Sequence, residues 1–321
     1  MKVVSALCAA LCLAFVSPAS AQEWPERTVK IVVPYPPGGN VDGAARIIAD
    51  QLQTRLGKPF VVENRSGAGG LIGSEAVAKS DPDGYTFLLG ANGPILFAPT
   101  MAGRPAYEWR KDFIPVTMVS LTPIVLQVHP SVAAKSMKEF VELARKEAGK
   151  LTMSSPGAGT TNHLLSELVQ EKMGLKWVTV QYRGNAPATT DLIAGQVQFN
   201  FDQVSVALPF IKDGKTRALG VTGKERSRWL PDVPTFAEQG FPAIEGATFT
   251  GLMAPAKTAP QVVARLNKEM RAILTDPAVK AKFEALGAEA VPMTSEEFTR
   301  YLEKEDTTWL PLVRRLDIKI Q

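Results

Sequence analysis

Three stretches of the chain end a strand pattern in glycines directly ahead of a helix start. They are Pro36-Pro37-Gly38-Gly39-Asn40-Val41-Asp42, Ser66-Gly67-Ala68-Gly69-Gly70, and Ser154-Ser155-Pro156-Gly157-Ala158-Gly159-Thr160-Thr161-Asn162-His163. Glycine lets the backbone turn sharply and approach a ligand closely. The helix start behind it offers unpaired N–H donors and the positive end of the helix dipole, so each stretch has the makings of an anion site. Any one of them is equally readable as a tight turn with an N-cap; three together point to an anionic ligand. Arg65 and Arg183 stand beside such loops, either as bidentate carboxylate clamps or as solvated or packing arginines. Asp42, near a helix start, either stabilises the dipole or faces the ligand. Asp202, at a strand end, is placed to order water or to receive a ligand hydroxyl or amine.

Enzyme motifs are weaker. Gly67-x-Gly69-Gly70-x-x-Gly73 approaches a dinucleotide fingerprint, but Ile72 stands where the third glycine is required. No Walker lysine follows a glycine loop, and there is no G-x-S-x-G elbow. The 2 histidines are His129 and His163, and the 2 cysteines are Cys8 and Cys12, too few outside the N-terminal segment to build a zinc site; neither a metal nor a cofactor is expected. His163 as a base beside Ser155 is the hydrolase alternative, although a helix N-terminus disfavours imidazolium and weakens the base.

Short β-type runs alternate with amphipathic helical patterns. Strands are expected at 28–33, 60–63 and 85–89, with helices at 41–56 and 71–79. A second cycle begins near Pro123, with strands at 124–128, 151–154, 178–182, 197–201 and 218–221 and helices at 137–146, 164–173 and 188–194. Helices at 260–274, 278–286 and 296–309 close the chain, separated by Pro277 and Gly287. This alternation argues for parallel strands with helices on both faces, in two tandem α/β lobes with a cleft between them.

At 321 residues, two such domains are the natural division. With 45% hydrophobic and 21% charged residues, long disorder is excluded. The net charge of +4 is spread along the chain, with short clusters only at Arg226–Arg228 and Arg314-Arg315, so no nucleic-acid partner is expected. Lys2, the apolar run Val3–Val16 and the small-x-small site Ala19-Ser20-Ala21 have the layout of a secretory signal peptide over 1–21, cleaved after Ala21. Both cysteines lie within it, so the mature protein has neither a disulfide nor a thiol nucleophile.

The order PYPPGG-x-x-D-x-x-AR (34–46), ENRSGAGG (63–70), SSPGAGT-x-x-HL (154–164), QYRG-x-AP-x-x-x-DL-x-AGQVQF-x-FD (181–202) and LPDVPTFAEQGFP (230–242) resembles the Bug-type substrate-binding proteins. These are the extracytoplasmic receptors of tripartite tricarboxylate transporters. The resemblance implies an α/β, two-lobed periplasmic binding protein (Venus flytrap) fold: two mixed sheets flanked by helices, with the ligand cleft between the lobes. Residues 22–122 and 248–321 would form lobe 1 and 123–247 lobe 2. It also implies a periplasmic monomer that binds a small carboxylate (a di- or tricarboxylate, an amino acid or an aromatic carboxylate) and works with the membrane subunits of such a transporter. A carboxylate sensor of the same fold is the alternative. On the matching positions, Tyr35, Gly39, Val41 and Asp42 would face the ligand from one lobe. Ser155, Gly159, Thr160, Thr161 and His163 would face it from the other, with Asn92, Tyr182 and Asp202 nearby. The stretch Asn92–Pro99 departs from the family pattern where the distal end of the ligand is expected, so an aromatic carboxylate beside Phe97 enters the expectation.

Overall fold

The computed structural model describes residues 24–103, 106–241 and 244–317. The expected signal peptide, with Cys8, Cys12 and the cleavage after Ala21, lies outside them. The chain begins with β1 (Val29–Val33), α1 (Asn40–Leu56), β2 (Phe60–Asn64), α2 (Leu71–Ala78) and β3 (Thr86–Ala91). After a π turn at Gly93–Phe97 and single helical turns at Ala98–Met101 and Trp109–Asp112 comes β4 (Phe113–Val128). The second part consists of α3 (Met137–Lys146), β5 (Thr152–Ser155), α4 (Thr161–Met173), β6 (Val178–Gln181), α5 (Asn185–Ile193), β7 (Phe199–Gln203), α6 (Val204–Lys212) and β8 (Arg217–Val221). The chain then returns through β9 (Ala247–Pro255), α7 (Pro260–Thr275), α8 (Pro277–Leu286), β10 (Glu289–Ala290) and α9 (Ser295–Leu316).

Both faces of the first sheet are buried. In β1, Val29, Ile31 and Val33 pack with Ile48 and Leu52 of α1 and with Leu266, Met270 and Phe283 of α7 and α8. Val32 points the other way, into a core shared with Leu71 and Val77 of α2 and Phe298 and Leu302 of α9. This is the two-residue period of a strand covered on both sides. Burying each such side chain contributes about 1.5–3 kcal/mol. In the second half, Phe140, Trp177, Phe199 and Phe201 form an aromatic cluster, with ring centroids 4.8 Å apart for Phe140–Phe199 and 5.1 Å for Trp177–Phe199.

The parallel arrangement expected from β/α alternation holds for β2-β1-β3 and for β6-β5-β7. Both sheets are nevertheless mixed, because β9 runs antiparallel to β3 and β4, and β4 antiparallel to β7 and β8. Only 124–128 is legible in the sequence as a strand of this region; the observed β4 starts at Phe113. Its residues 113–123 pair with β9, and its residues 124–128 pair with β7 and, on the other edge, with β8. One strand therefore serves both sheets. Pro115 and Pro123 disguise it, and the structure tolerates Pro115 beside a register shift, where a missing N–H costs least. β9 and α6 are likewise absent from the sequence reading, the latter because Pro209 lies within the helix.

Candidate functional site

The loop that leaves β1 is pinned before α1 begins. Asp42 accepts from the Gly38 N–H at 3.0 Å, from Arg46 Nε and Nη2 at 3.0 Å each, and from Asn64 Nδ2 at 2.9 Å. Burial pushes the Asp42 carboxyl up, but the Arg46, Gly38 and Asn64 hydrogen bonds outweigh it and hold the group below its ordinary range. Asn64 also donates to the Tyr35 carbonyl at 3.0 Å, and Gly38 sits at φ +85°, where a side chain would be strained. The first α1 hydrogen bond runs from Gly43 N–H to the Gly39 carbonyl, so the N–H groups of Asn40, Val41 and Asp42 precede the helical ladder.

The opposite half presents a second helix start. Thr160 is the N-cap of α4: its hydroxyl donates to the Gly157 carbonyl at 2.7 Å and accepts from the His163 N–H at 3.4 Å. Gly157 and Gly159 adopt φ +141° and +77°. The Gly159 N–H donates to His163 Nδ1 at 3.3 Å, which leaves the ring proton on Nε2, 3.8 Å from Glu167. Burial lowers the His163 pKa to about 4, so the imidazole is neutral at pH 7. The Ser155 hydroxyl is engaged with Gly157, at 3.3 Å to its carbonyl and 3.4 Å from its N–H, and makes no bond to His163. The pairing a hydrolase would need is therefore not assembled.

Between the two helix starts lies a small cavity lined by Tyr35, Gly39, Asn40, Val41, Ala91, Pro156, Thr160, Thr161, Asn162, Asn185, Gln203 and Thr248. Of the residues expected from the sequence, Tyr35, Gly39, Val41, Thr160 and Thr161 reach it. No charged side chain does. The Thr161 hydroxyl makes no hydrogen bond to the described residues, whereas that of Thr160 is spent on its cap. Asn40, Asn162, Asn185, Gln203 and Thr248 also line the cavity, without a signal in the sequence pattern. Amides carry no spacing signature, and these come together only through tertiary contacts.

Other expected residues stand behind the cavity wall. Asp202 is buried and accepts from Asn185 Nδ2 at 2.6 Å, Gln203 N–H at 2.9 Å, Asn162 Nδ2 at 3.2 Å and the Thr189 hydroxyl at 3.2 Å. Burial pushes its carboxyl up to about 7 against the pull of these four donors. Asp202 therefore orients cavity-lining amides. Gln203 extends the same network, donating to Asn162 Oδ1 at 2.8 Å and to the Thr248 hydroxyl at 2.9 Å. Asn92 joins β9 to α9, accepting from the Phe249 N–H at 3.0 Å and donating to Glu305 at 3.1 Å. The Tyr182 hydroxyl donates to Asp191 at 2.6 Å. Arg65 and Arg183 are exposed and off the cavity. Phe97 is fully buried against Trp309, so it offers no surface to an aromatic ligand.

The two halves touch around this cavity. A Cβ built on Gly93, after β3, would lie 2.8 Å from the Gly159 carbonyl oxygen across the cleft, and one on Gly184 would lie 3.0 Å from Pro36. A larger groove lined by Trp229, Tyr301 and Trp309 shares no residue with the cavity and holds no helix start.

Two lobes built on mixed α/β sheets, closing over a cleft at facing helix starts, define a solute receptor of the periplasmic binding protein fold. Residues 44–318 match the model of the tripartite tricarboxylate transporter family receptor, and the chain belongs to that family. It is similar to protein BugT of Bordetella pertussis, 35% identical over 306 residues that cover 95% of this chain and 94% of BugT. It is also similar to the solved structure of R. palustris Rpa4515 with adipate, at 33% identity and TM-score 0.89, covering 91% of this chain and 98% of that one. MatC (Rpa3494) from Rhodopseudomonas palustris with bound malate superposes at TM-score 0.86 with 31% identity, over 90% of this chain and 100% of that one.

Proposed function

We propose that the protein is an extracytoplasmic receptor that encloses a small dicarboxylate between its lobes and delivers it to the membrane subunits of a tripartite tricarboxylate transporter. The observation that carries this reading is the convergence of the α1 and α4 N-termini with neutral amides and hydroxyls on one cavity. A partly buried helix N-terminus gives an anion up to ~2 kcal/mol. Hydrogen bonds to a charged group give roughly 1.5–3 kcal/mol each. Micromolar affinity needs about 8 kcal/mol, so two such termini with a few donors suffice without a cationic clamp. The adipate and malate held by related receptors support a ligand with two carboxylates. Tyr35, Gly39, Val41 and Thr161 contact the ligand in this reading, with Asn162, Asn185 and Gln203 beside them. Asp42, Asn92, Ser155, Gly159, Thr160, His163, Tyr182 and Asp202 hold those groups in place. Lobe 1 comprises 22–122 and 248–321, and lobe 2 comprises 123–247. The mature protein works as a periplasmic monomer without cofactor or catalysis, released by cleavage after Ala21. Among the described residues, no helix is long and apolar enough to cross a membrane.

A thermal-shift screen of the mature protein against mono-, di- and tricarboxylates, aliphatic and aromatic, tests the reading. A ligand at 100 times its Kd stabilises by about 2.7 kcal/mol. Silence across the whole panel would sink the proposal, as would chemical conversion of the bound compound on incubation.

Two substitutions resolve the site. Thr161→Ala is expected to weaken dicarboxylate binding more than about tenfold, the loss of one charge-assisted hydrogen bond, with the melting temperature of the free protein nearly unchanged. Thr160→Ala is expected to cost about 1 kcal/mol of stability as a lost cap. Equal affinities for Thr161→Ala and wild type in calorimetry would place the carboxylate elsewhere. Gly93→Ala tests closure. Its backbone accepts alanine; the new methyl meets the Gly159 carbonyl across the cleft at 2.8 Å, a fixed backbone group, and the Tyr35 hydroxyl within lobe 1 at 3.0 Å, the movable end of a side chain. Affinity should fall about tenfold (about 1.4 kcal/mol) while the free protein melts as before; retained affinity would mean that this contact does not form in the bound state.

A further inference from the structure

Asn40 occupies a position that neither the sequence pattern nor the family motif singles out. It is the first residue of α1, lines the inter-lobe cavity and is only 7% exposed. Its Oδ1 accepts two hydrogen bonds: one from the Thr122 hydroxyl at 3.2 Å, where β4 passes between the sheets, and one from the Ser205 hydroxyl of α6 at 2.8 Å. Ser205 belongs to the opposite half, so this is a hydrogen bond across the closed cleft. The other end of the amide, Nδ2, is buried and has no hydrogen-bond partner. A buried donor left unpaired is costly, and few survive in folded proteins without a reason.

We infer that Asn40 couples ligand binding to lobe closure: its Oδ1 latches lobe 1 to Ser205, while its orphaned Nδ2–H donates to a ligand carboxylate oxygen. The inference rests on the proposed carboxylate site and adds a side-chain contact to it. One planar amide then reports both events. With the lobes apart, Ser205 is withdrawn and Oδ1 keeps only Thr122. With the lobes closed on a carboxylate, every polar atom of the Asn40 side chain is paired. A closed cleft without an acceptor leaves the donor stranded, which biases the free protein towards opening. The latch works only with a ligand that can accept, and that selects carboxylates over cationic or apolar solutes of similar size.

The test compares wild type, Asn40→Asp, Asn40→Ala and Ser205→Ala by calorimetry against malate and adipate, with the melting temperature and small-angle scattering of each free protein. Asn40→Asp keeps the shape and the acceptor for Thr122 and Ser205 but replaces the donor by an oxygen. It should lose at least thirtyfold in affinity. Ser205→Ala keeps the donor and removes the cross-lobe bond. It should lose roughly three- to tenfold and shift the free protein to a larger radius of gyration. Asn40→Ala combines both losses and remains informative if the aspartate variant is unstable. Wild-type affinity in Asn40→Asp, or in Asn40→Ala, overturns the inference and leaves the proposed function standing. A wild-type protein that binds no carboxylate overturns both.

Discussion

Replacing Asp202 by alanine is expected to cost about 3–5 kcal/mol of stability and to abolish measurable dicarboxylate binding. The carboxylate is the shared acceptor of the Asn162 and Asn185 amides, the Thr189 hydroxyl and the Gln203 N–H. Asn162 and Asn185 retain other acceptors, the Phe201 carbonyl at 2.7 Å and Gln203 Oε1 at 2.8 Å, so they lose only part of their bonding. The Thr189 hydroxyl and the Gln203 N–H are left buried without one, at about 1–3 kcal/mol each, and the remaining loss comes from the void. Function suffers more than stability, because Asn162, Asn185 and Gln203 line the cavity and lose the group that orients them. Asp202→Asn separates the two contributions. Its oxygen can still accept at the Oδ1 position, and its NH2 can meet the Thr189 hydroxyl, which is able to accept. It should keep most of the stability and a measurable affinity. Urea unfolding at pH 7 with calorimetry on all three proteins checks this; an alanine variant as stable as the asparagine one would show that the network carries no weight.

A second large effect is the pH dependence set by His163. Burial holds its folded pKa at about 4, against 6.5 for the ordinary imidazole. Folding therefore favours the neutral ring. The stability linked to this group is fully present above pH 6.5 and is lost as pH falls through 4, amounting to about 3 kcal/mol. His163→Gln removes the titration. The stability difference between wild type and variant should therefore shift by about 3 kcal/mol between pH 7 and pH 4, the wild type losing more. Asp202 contributes with the opposite sign, since its raised value makes the folded state gain as pH falls, but it does so equally in both proteins and cancels in the comparison. Among the described residues, Glu167, 3.8 Å from Nε2, is placed to rescue the imidazolium, although burial raises its own carboxyl and weakens that rescue at low pH. Parallel pH profiles for the two proteins would mean that the rescue prevails.

The lobed α/β character, the family and the two loops that flank the cleft are legible in the chain alone. The physical reason is that these depend on local chemistry. Gly38, Gly157 and Gly159 are needed where the backbone takes positive φ, Thr160 caps the helix that follows it, and β1 shows its burial in adjacent valines and isoleucine. Tertiary structure alone decided which groups remain free to meet a ligand. Asp42 is consumed by Arg46 one helical turn on and by Asn64 on a neighbouring strand; Asn92 is spent on β9 and α9, and Asp202 on amides from α4 and α5. Conversely, Asn40, Asn162, Asn185 and Gln203 bear no pattern in the chain and meet only because four separate elements end at one cavity. The same holds for β4, whose prolines read as breaks until β9, more than a hundred residues later, pairs with it across register shifts. Hydrogen-bond donors and acceptors are assigned by what packs against them, and a one-dimensional pattern carries no record of those partners.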